Sequence, residues 1–368
     1  MKARLRVAIV APTLEILGGH SVQAHALLEG WRDDPDVEAW LVPINPAPAG
    51  WLARARRVKY ARTVVTQAAY WPLLWRELRR ADVVHVFSAS YASFLLSPLP
   101  ALLVSAALGR PALLNYHSGE APDHLRRSAV ARRALARAPH RAVPSRFLAE
   151  VFGSFGLDAE VIPNLVDRAR FRFRRRDPLG ARLLSTRNLE PLYDVACTLR
   201  AFRLIQARRP DATLTVVGDG SQAAPLAEHA ASLGLRGVRF VGRVPPEDMP
   251  RYYDEADIYV QSPRIDNMPL SVLEAFASGL PVVSTDVGGV PAILTHETHG
   301  LLVPAGDEQQ MADAVLGLLA RPDEARRLAD RGFESTAALT WPRVREQWLA
   351  AYRRLALREA HASAWEPA

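Results

Sequence analysis

The sequence is poor in cysteine. Its 368 residues include one, Cys197, and only four methionines. A single cysteine excludes an internal disulfide framework and a cysteine cluster for zinc, and it is typical of a protein in a reducing cytosol. We therefore expect a cytoplasmic location.

Lysine is almost absent as well. Of the 46 basic residues only Lys2 and Lys59 are lysines, and the basic residues exceed the 39 acidic ones to give a formal net charge of +7. The planar fork of arginine suits bidentate phosphate binding, but a GC-rich coding sequence would produce the same bias. Charge alone therefore decides little about function.

Uninterrupted apolar segments are also scarce. The N-terminal MKARLRVAIVAPT has neither a long apolar core nor a small-residue cleavage site, and it is predicted to be a first strand rather than a signal peptide. The one uncharged stretch long enough to span a bilayer, residues 86–109, carries Pro98, Pro100 and several serines between two strand-like segments. This disfavours a transmembrane helix.

What the sequence does have is a repeated alternation of strand-like and helix-like segments. Its length and its 49% hydrophobic content predict two domains. Short β-branched runs alternate with longer apolar-periodic segments in the first half, as in βαβ units around a parallel sheet. The predicted strands are LRVAIVAP, ADVVHVFS, ALLNYHS, HRAVPS and EVIPN.

A second alternation begins after a charged segment, Asp167 to Pro178, which is the predicted linker. Its predicted strands are ARLLSTR, ATLTVVGDG, VRFVGRV, DIYVQSP and PVVSTD, with helices between them. We expect an α/β protein with two Rossmann-like, doubly wound parallel sheets, in domains 1–170 and 175–340. The last helical segment, residues 341–368, is expected to pack back on the first domain.

Two glycines follow the first predicted strand. Gly18 and Gly19 stand in TLEILGGH, just ahead of the helix SVQAHALLEGW. Glycine lets the backbone approach a phosphate, and a helix N-terminus offers N–H groups and a partial positive charge. A structural Gly-Gly turn is the alternative, and the lack of a full G-x-G-x-x-G weakens a dehydrogenase interpretation.

The segment SPRIDNMPLSVLEAFASGLPVVSTDVGG carries a more specific pattern. A strand ends, a loop turns through Asp266, a helix begins near Pro269, and Glu274 lies inside that helix. The amides of Met268 and Leu270 are then placed for a phosphate, with Asp266 near a sugar and Glu274 near a ribose. The alternative is a capped helix with two solvated carboxylates.

With this segment in place, the chain resembles the retaining family-4 glycosyltransferases of GT-B fold over nearly its whole length. Several segments agree in order: the early GG loop, YHSGE, VPSRFLAEVFGSFGLDAEVIPNLVD, VVGDGS, FVGR and DNMPLSVLEAFASGLPVVSTDVGG. The resemblance implies an acceptor-binding first domain, a donor-binding second domain and an active-site cleft between them.

The resemblance assigns the two carboxylates of the family's E-x7-E pattern. The first contacts the transferred sugar and the second the nucleotide ribose, which implies those roles for Asp266 and Glu274. Aspartate is shorter than the usual glutamate, and a misplacement near 1 Å can cost on the order of a hundredfold in rate. We expect Asn267 to compensate by sharing the hydrogen bonds to sugar hydroxyls.

The resemblance also implies a cationic clamp on the diphosphate. Arg187 matches the family's arginine, but the lysine expected five or six residues later is replaced by Leu192 or Tyr193. Arg264 is a candidate substitute because its long fork can reach the same region.

Other cleft residues are implied by position. His117 in NYHSGE matches the family's cleft histidine, at the sheet edge where α/β proteins bind ligands, although a lone histidine there is often only a satisfied polar group. Gly218 and Arg243 end predicted strands that line the nucleotide pocket, and the backbone near Arg243 and Val244 reads the base in the family.

A stretch of the first domain mixes aromatic and basic residues. Such mixing suits an anionic membrane surface, and an ordinary amphipathic helix with buried aromatics is an equal alternative. No nucleic-acid module surrounds it, so a nucleic-acid partner is not expected. The residues concerned are Trp51, Tyr60, Tyr70, Trp71, Trp75, Arg54, Arg56, Arg57, Lys59 and Arg62.

The resemblance implies a retaining, metal-independent hexosyltransferase that uses a nucleotide-sugar as substrate, with no separate cofactor. We expect a glycan or lipid-linked acceptor in cell-envelope synthesis, on the cytoplasmic side of the membrane. The alternatives are a nucleotide-sugar epimerase and a degenerate, non-catalytic protein that binds a partner or a membrane. A pyridoxal-phosphate phosphorylase is disfavoured because only two lysines are present.

Overall fold

The computed structural model describes residues 4–16, 18–46 and 59–363, without the side chains of 59–61 and 358–363. Two compact units result: unit 1 comprises Met1–Pro163 and Pro342–Ala368, and unit 2 comprises Asn164–Trp341. Part of the aromatic and basic stretch lies outside the described residues, namely Trp51, Arg54, Arg56 and Arg57 together with the side chains of Lys59 and Tyr60.

Unit 1 is built on a six-stranded parallel sheet in the order β2-β1-β3-β4-β5-β6. Its strands are β1 (Leu5–Ala11), β2 (Val37–Pro43), β3 (Val83–Ser88), β4 (Ala112–Tyr116), β5 (His140–Val143) and β6 (Glu160–Val161). Every residue of β3 and β4 is buried, as expected for central strands covered on both faces. The sequence analysis missed β2, an edge strand most of whose residues are only partly buried.

Helices connect these strands. They are α1 (Gly19–Trp31), α2 (Lys59–Leu78), α3 (Tyr91–Leu96), α4 (Pro98–Ala107), α5 (Ala121–Arg127), α6 (Ala129–Arg137) and α7 (Arg146–Ser154). The uncharged stretch at 86–109 forms β3, α3 and α4 rather than one long helix. Within the described ranges, no helix combines the length and apolarity that crossing a bilayer requires.

The C-terminal helix, α14 (Trp341–Ser363), packs on unit 1 through buried polar contacts. The Arg345 guanidinium donates to Asp34 at 2.6 and 3.0 Å and to Asp36 at 2.8 Å. Deeper in the unit, Asn115 Nδ2 donates to Nε2 of His85 at 3.1 Å, and Nδ1 of His85 lies 2.7 Å from the Tyr352 hydroxyl. A helix distant in sequence is thereby tied to β3 and β4.

This polar cluster should make stability depend on pH. His85 is fully buried, and burial lowers its pKa to about 3. The unfolded chain takes up a proton near pH 6.5 whereas the folded one does not, so the contribution of His85 is complete above pH 6.5 and is lost as the pH falls. Between pH 6.5 and 5 that loss is about 2 kcal/mol.

Urea unfolding at pH 7.5 and pH 5.0 checks this prediction. The wild type should lose about 2 kcal/mol more than His85→Gln over that interval. Because both proteins share every other titrating group, the difference isolates His85. Equal losses in the two proteins would contradict the prediction.

Unit 2 repeats the architecture with a six-stranded parallel sheet in the order β12-β11-β10-β7-β8-β9. The strands are β7 (Arg182–Thr186), β8 (Thr213–Val217), β9 (Val238–Gly242), β10 (Ile258–Gln261), β11 (Val282–Thr285) and β12 (Leu301–Val303). The prediction of two doubly wound parallel sheets is confirmed. Only the three-residue edge strand β12 was missed in this unit.

The helices of unit 2 are α8 (Val195–Arg208), α9 (Ala223–Ser232), α10 (Met249–Glu255), α11 (Leu270–Ala277), α12 (Glu308–Ala320) and α13 (Pro322–Ser335). One apolar cluster includes residues of α8, α9 and α12, and a second includes residues of α10 and α11. Helices on both faces leave the strand ends as the accessible edge of the sheet.

The segment predicted as a linker, Asp167–Pro178, lies within unit 2, because the division between the units falls at residue 164. Phe171 is buried in the same apolar cluster as α11. The Arg176 guanidinium is only 6% exposed and donates to the carbonyls of Tyr253 at 2.8 Å and Ala256 at 3.1 Å. The dense charge that predicted a linker therefore belongs to a segment whose arginine side chains bind backbone carbonyls of unit 2.

Candidate functional site

The carboxyl edge of the unit 2 sheet gathers most of the predicted site residues. β7 stands between β10 and β8, so the chain runs outward through β8 and β9 on one side and through β10, β11 and β12 on the other. Ligands of open α/β sheets bind at such a point of reversal. Arg187 follows β7 directly and Asp266 lies in the loop after β10, which puts both at this point.

Arg187 is held by three neighbours. Its Nη2 donates to Oδ2 of Asp266 at 2.6 Å, its Nη1 donates to Oγ of Ser271 at 3.1 Å, and its guanidinium lies 4.1 Å from the centre of the Tyr193 ring. The side chain is 9% exposed, and Nε is buried with no acceptor among the described residues. A buried N–H without a partner is rare and indicates a place for an acceptor.

The Asp266 loop is fixed by a hydrogen bond within its own turn and by a second one from Gly289. Oδ1 of Asp266 accepts from the amide of Asn267 at 2.8 Å, and the Asp266 carbonyl accepts from the amide of Gly289 at 3.1 Å. A Cβ at Gly289 would stand 2.1 Å from the Asn267 carbonyl oxygen. Asn267 is 3% exposed, and a Cβ at Gly289 would also stand 3.0 Å from its Oδ1, so its side chain is buried beside Gly289.

This arrangement predicts the result of restoring the longer family side chain. Asp266 already reaches Arg187 at 2.6 Å, so Asp266→Glu should displace the pair and lower kcat/KM by roughly ten- to a hundredfold. The measurement is steady-state transfer kinetics once the donor is known, with circular dichroism to confirm folding. A strong rise in activity would contradict the prediction and would count against Asn267 as the compensating residue.

An aromatic ring lies beside Arg187 at Tyr193, one of the two positions where the lysine is expected. Tyr193 stacks on Arg187 and supplies no charge. Arg264, the predicted substitute, is 65% exposed and donates through Nε to Oδ2 of Asp194 at 2.8 Å. Asp194 also accepts from the amide of Cys197 as the N-cap of α8, so in this structure Arg264 is held at the start of that helix.

Glu274 lies in α11, one turn after Ser271. Its Oε2 accepts from the hydroxyl of Tyr253, which comes from α10, at 2.7 Å. Burial raises the pKa of Glu274 to about 7, and the Tyr253 hydrogen bond, Arg170 and Arg187 act in the opposite direction. Small changes around this carboxyl group therefore change its charge at neutral pH.

The start of α11 carries the predicted amide site. Leu270 is its first residue, and the Met268 carbonyl accepts from Asn164 Nδ2 at 3.0 Å. The backbone N–H of Asn164 also donates to the Met268 sulfur at 3.3 Å. A polar residue from the start of unit 2 thus fixes the backbone just ahead of the helix N-terminus.

The nucleotide-pocket residues predicted from strand ends lie along the same edge. The Gly218 amide donates to the Gly242 carbonyl at 2.9 Å, joining the ends of β8 and β9. Gly218 has φ +142°, and a Cβ there would stand 1.9 Å from the Arg187 carbonyl oxygen. Arg243 is exposed, and Val244 is buried in the α10 and α11 cluster.

In unit 1 the predicted residues also lie at the carboxyl edge of the sheet. Gly18 is the N-cap of α1 and Gly19 its first residue, while His117 directly follows β4. The rings of His20 and His117 meet edge to face at 5.2 Å. Burial lowers the pKa of His20 to about 4 and that of His117 well below its usual value, so both rings are neutral at pH 7.

Several contributors were missed by the sequence analysis. Ser271 and His20 stand inside quoted motifs, so their place beside Glu274 and after Gly19 was an available signal. Asn164 also stands inside a quoted motif, and Tyr193 was named only as a possible occupant of the lysine position. Tyr253 carries no such signal, because only the folded chain brings it to the site.

The chain has two doubly wound units, each with polar residues suited to ligand binding at the carboxyl edge of its sheet. This is the architecture of GT-B proteins. Comparison with protein families agrees: residues 17–170 match the model described as Glycosyltransferase Family 4, and residues 181–321 match the model described as Glycosyl transferases group 1. The chain belongs to this group 1, family-4 family of glycosyltransferases, which confirms the resemblance stated from the sequence.

Curated relatives are similar over part of their length. The amylovoran biosynthesis glycosyltransferase AmsK of Erwinia amylovora is 32% identical over 42% of this chain and 40% of its own length. The D-inositol 3-phosphate glycosyltransferase of Corynebacterium urealyticum is 32% identical over 54% and 50%. A GDP-mannose-dependent phosphatidylinositol monomannoside mannosyltransferase of Mycobacterium tuberculosis is 31% identical over 54% and 56%. The chain thus spans about half the length of these relatives.

Solved structures share the fold over whole chains. Anabaena HepE in complex with UDP-glucose has a TM-score of 0.75 at 17% identity, covering 95% of this chain and 99% of that one. The sucrose-phosphate synthase of Thermosynechococcus elongatus has a TM-score of 0.76 at 20% identity, covering 96% and 99%. At these identities the likeness establishes the fold.

Proposed function

We propose that this protein is a retaining glycosyltransferase that takes a sugar from a nucleotide-sugar donor bound at the carboxyl edge of unit 2. The observation that carries the proposal is Arg187, whose buried Nε has no acceptor among the described residues, at the point where the strand order reverses. A diphosphate oxygen would supply that acceptor.

The other residues of this edge take roles around the diphosphate. The amides of Met268 and Leu270 at the start of α11 offer N–H groups and the positive end of the helix dipole to a phosphate. Asp266 accepts from a hydroxyl of the transferred sugar and Glu274 from the ribose. Gly218, Arg243 and Val244 line the base pocket.

Unit 1 is proposed to bind the acceptor. Gly18 and Gly19 are proposed to offer the N–H groups at the start of α1 to a phosphate. A Cβ at Gly18 would meet no atom of the described residues within 4 Å. His117, neutral at pH 7, offers a ring nitrogen to a sugar hydroxyl.

For the chemistry, no side chain is required as a covalent nucleophile. As the bond between the sugar and the diphosphate breaks, negative charge develops on the leaving phosphate, and Arg187 with the helix N-termini stabilises it. The leaving phosphate takes the proton of the acceptor hydroxyl. The acceptor oxygen then attacks the anomeric carbon from the face of the sugar that the phosphate leaves. Retention follows, without a metal ion. An inverted product, by nuclear magnetic resonance of the anomeric proton, would overturn this mechanism.

The donor class is tested by a thermal-shift screen against UDP, GDP, ADP and their sugar derivatives, because a ligand that binds only the folded state raises the melting temperature. We expect one base to give a clear shift. A protein that melts cooperatively but shifts with none of them would favour the degenerate, non-catalytic alternative. A glycan or lipid-linked acceptor, in cell-envelope synthesis, is proposed from the names of the curated relatives.

We also propose contact with an anionic membrane through one face of α2, on the cytoplasmic side. Tyr70 is buried, which fits the amphipathic alternative, but Trp71 and Trp75 remain 38% and 37% exposed, one turn apart. Gln67 ties α2 to the carbonyl of Leu96, which is itself 40% exposed, so apolar side chains of two helices lie side by side.

Sedimentation with phosphatidylglycerol vesicles tests this surface. Replacing Arg76 and Arg79 together by alanine should weaken binding by roughly thirtyfold, since each basic residue near anionic lipid contributes about 1 kcal/mol. The matched control is the pair Arg133→Ala and Arg137→Ala on α6, which are exposed in the same unit. Unchanged binding by the Arg76 and Arg79 double variant would remove the support for a membrane partner.

A further inference from the structure

A buried tyrosine hydroxyl stands behind Glu274. Tyr253 is 0% exposed, and its hydroxyl donates to Oε2 of Glu274 at 2.7 Å. On its other side, 2.7 Å away, is Oγ1 of Thr186. When Glu274 is ionised, the phenol gives its single proton to the carboxylate, so Thr186 then donates to Tyr253. A directed chain therefore runs from Thr186 through Tyr253 to Glu274.

This chain begins at the residue before Arg187. Thr186 is the last residue of β7, and Arg187 donates to Ser271, three residues before Glu274 on α11. The end of one strand thus makes two attachments to the same helix, one direct and one through Tyr253. Two attachments fix the rotation of α11 relative to β7, and with it the direction of the Glu274 side chain.

The two carboxylate oxygens of Glu274 then have different surroundings. Oε2 is engaged by Tyr253, whereas no hydrogen bond to Oε1 is formed by the described residues. A carboxylate has capacity for several donors, so a pair of adjacent hydroxyls can still bind it.

On the proposed function, in which Glu274 contacts the nucleotide ribose, we propose that Tyr253 is a positioning residue that orients this carboxylate for the ribose hydroxyls. Tyr253 does not touch the donor. Its effect reaches the ligand only through Glu274. Removing the Tyr253 hydroxyl should therefore lower the affinity for a nucleotide that carries ribose hydroxyls and leave unchanged the affinity for one that lacks them.

The charge of Glu274 provides a second readout. The ionisable groups that act on it are Tyr253 on α10, Arg187 after β7, and Arg170 in the segment ahead of β7. Burial raises its pKa to about 7 and the Tyr253 hydrogen bond lowers it. Ribose binding to the ionised carboxylate should weaken as the pH falls below this value, and removing the Tyr253 hydroxyl should move the midpoint to higher pH.

The experiment is calorimetric titration of the full chain with a nucleoside diphosphate and its 2′,3′-dideoxy analogue, using whichever of UDP, GDP and ADP binds the wild type. Tyr253→Phe should bind the ribonucleotide roughly tenfold more weakly, as for one hydrogen bond to a charged group. Its affinity for the dideoxy form should equal that of the wild type. The matched control is Tyr252→Phe, since the neighbouring hydroxyl bonds Arg251 instead.

Two results would overturn the inference, and a third would overturn the proposed function on which it rests. Wild-type affinity of Tyr253→Phe for the ribonucleotide, with an unshifted pH midpoint, would show that the hydroxyl does not position Glu274. Equal weakening for both nucleotides would show a general structural role. If Tyr253→Phe fails to fold, Thr186→Val replaces it, and the same pattern is required. A wild type that binds no nucleoside diphosphate would overturn the proposed function itself.

Discussion

Arg187→Ala is expected to lower kcat/KM by roughly a hundred- to a thousandfold. The guanidinium is the buried cation at the reversal point of the unit 2 sheet, paired to Asp266 at 2.6 Å. Removing a preorganised donor from developing negative charge has effects of that size. Burial tends to lower the pKa of Arg187, but Asp266 and the surrounding tyrosines raise it overall, so the side chain is a permanent cation. Steady-state kinetics with the identified donor measure the loss.

Two further variants separate charge from geometry. Arg187→Lys keeps the positive charge, but the ammonium group of lysine lacks the planar fork with which Arg187 donates to Asp266 and Ser271. Most of the loss of kcat/KM should therefore remain. Arg264→Ala should change donor affinity by about threefold or less, because that side chain is largely exposed and pairs with Asp194. A large loss of affinity in Arg264→Ala would instead establish it as the second phosphate ligand. Full activity in Arg187→Ala would show that Arg187 does not contribute to catalysis or donor binding.

Gly218→Ala is expected to be the most destabilising single substitution at this edge. The new Cβ would stand 1.9 Å from the Arg187 carbonyl oxygen, on a backbone at φ +142° that side chains rarely adopt. Overpacking against backbone and strain in a disfavoured region each cost about 1–3 kcal/mol. We expect a loss of about 3 kcal/mol or more in chemical denaturation, together with weaker donor binding because Arg187 must move.

Gly234→Ala is the matched control. Gly234 also has a positive φ, +68°, but a Cβ there would meet nothing within 4 Å. It should cost only the backbone strain, about 1 kcal/mol, and leave donor binding unchanged. If Gly218→Ala and Gly234→Ala destabilise equally, the close approach to Arg187 is not what requires glycine at position 218.

The interior strands could be predicted from sequence because they are buried on both faces. VVHVFS and IYVQ are short, largely apolar runs in which every residue is buried, and such runs are typical of strands inside a sheet. The edge strands β2 and β12 were missed for the converse reason, since one is partly exposed and the other has three residues. Burial is not the whole signal, because the edge strands β6 and β9, whose residues are exposed or only partly buried, were predicted as well.

The candidate site divides in a similar way. Asp266, Glu274 and the start of α11 lie within nine residues, so their spacing alone places them on one loop and helix. The sequence by itself thus determined the two parallel sheets and this local motif, because both depend on nearby residues and on burial. Only the tertiary structure decided that Arg187 pairs with Asp266, that Tyr193 stacks on Arg187, and that Tyr253 holds Glu274. Those contacts join residues up to 79 positions apart, and a chain reveals such neighbours only when its strands are brought side by side.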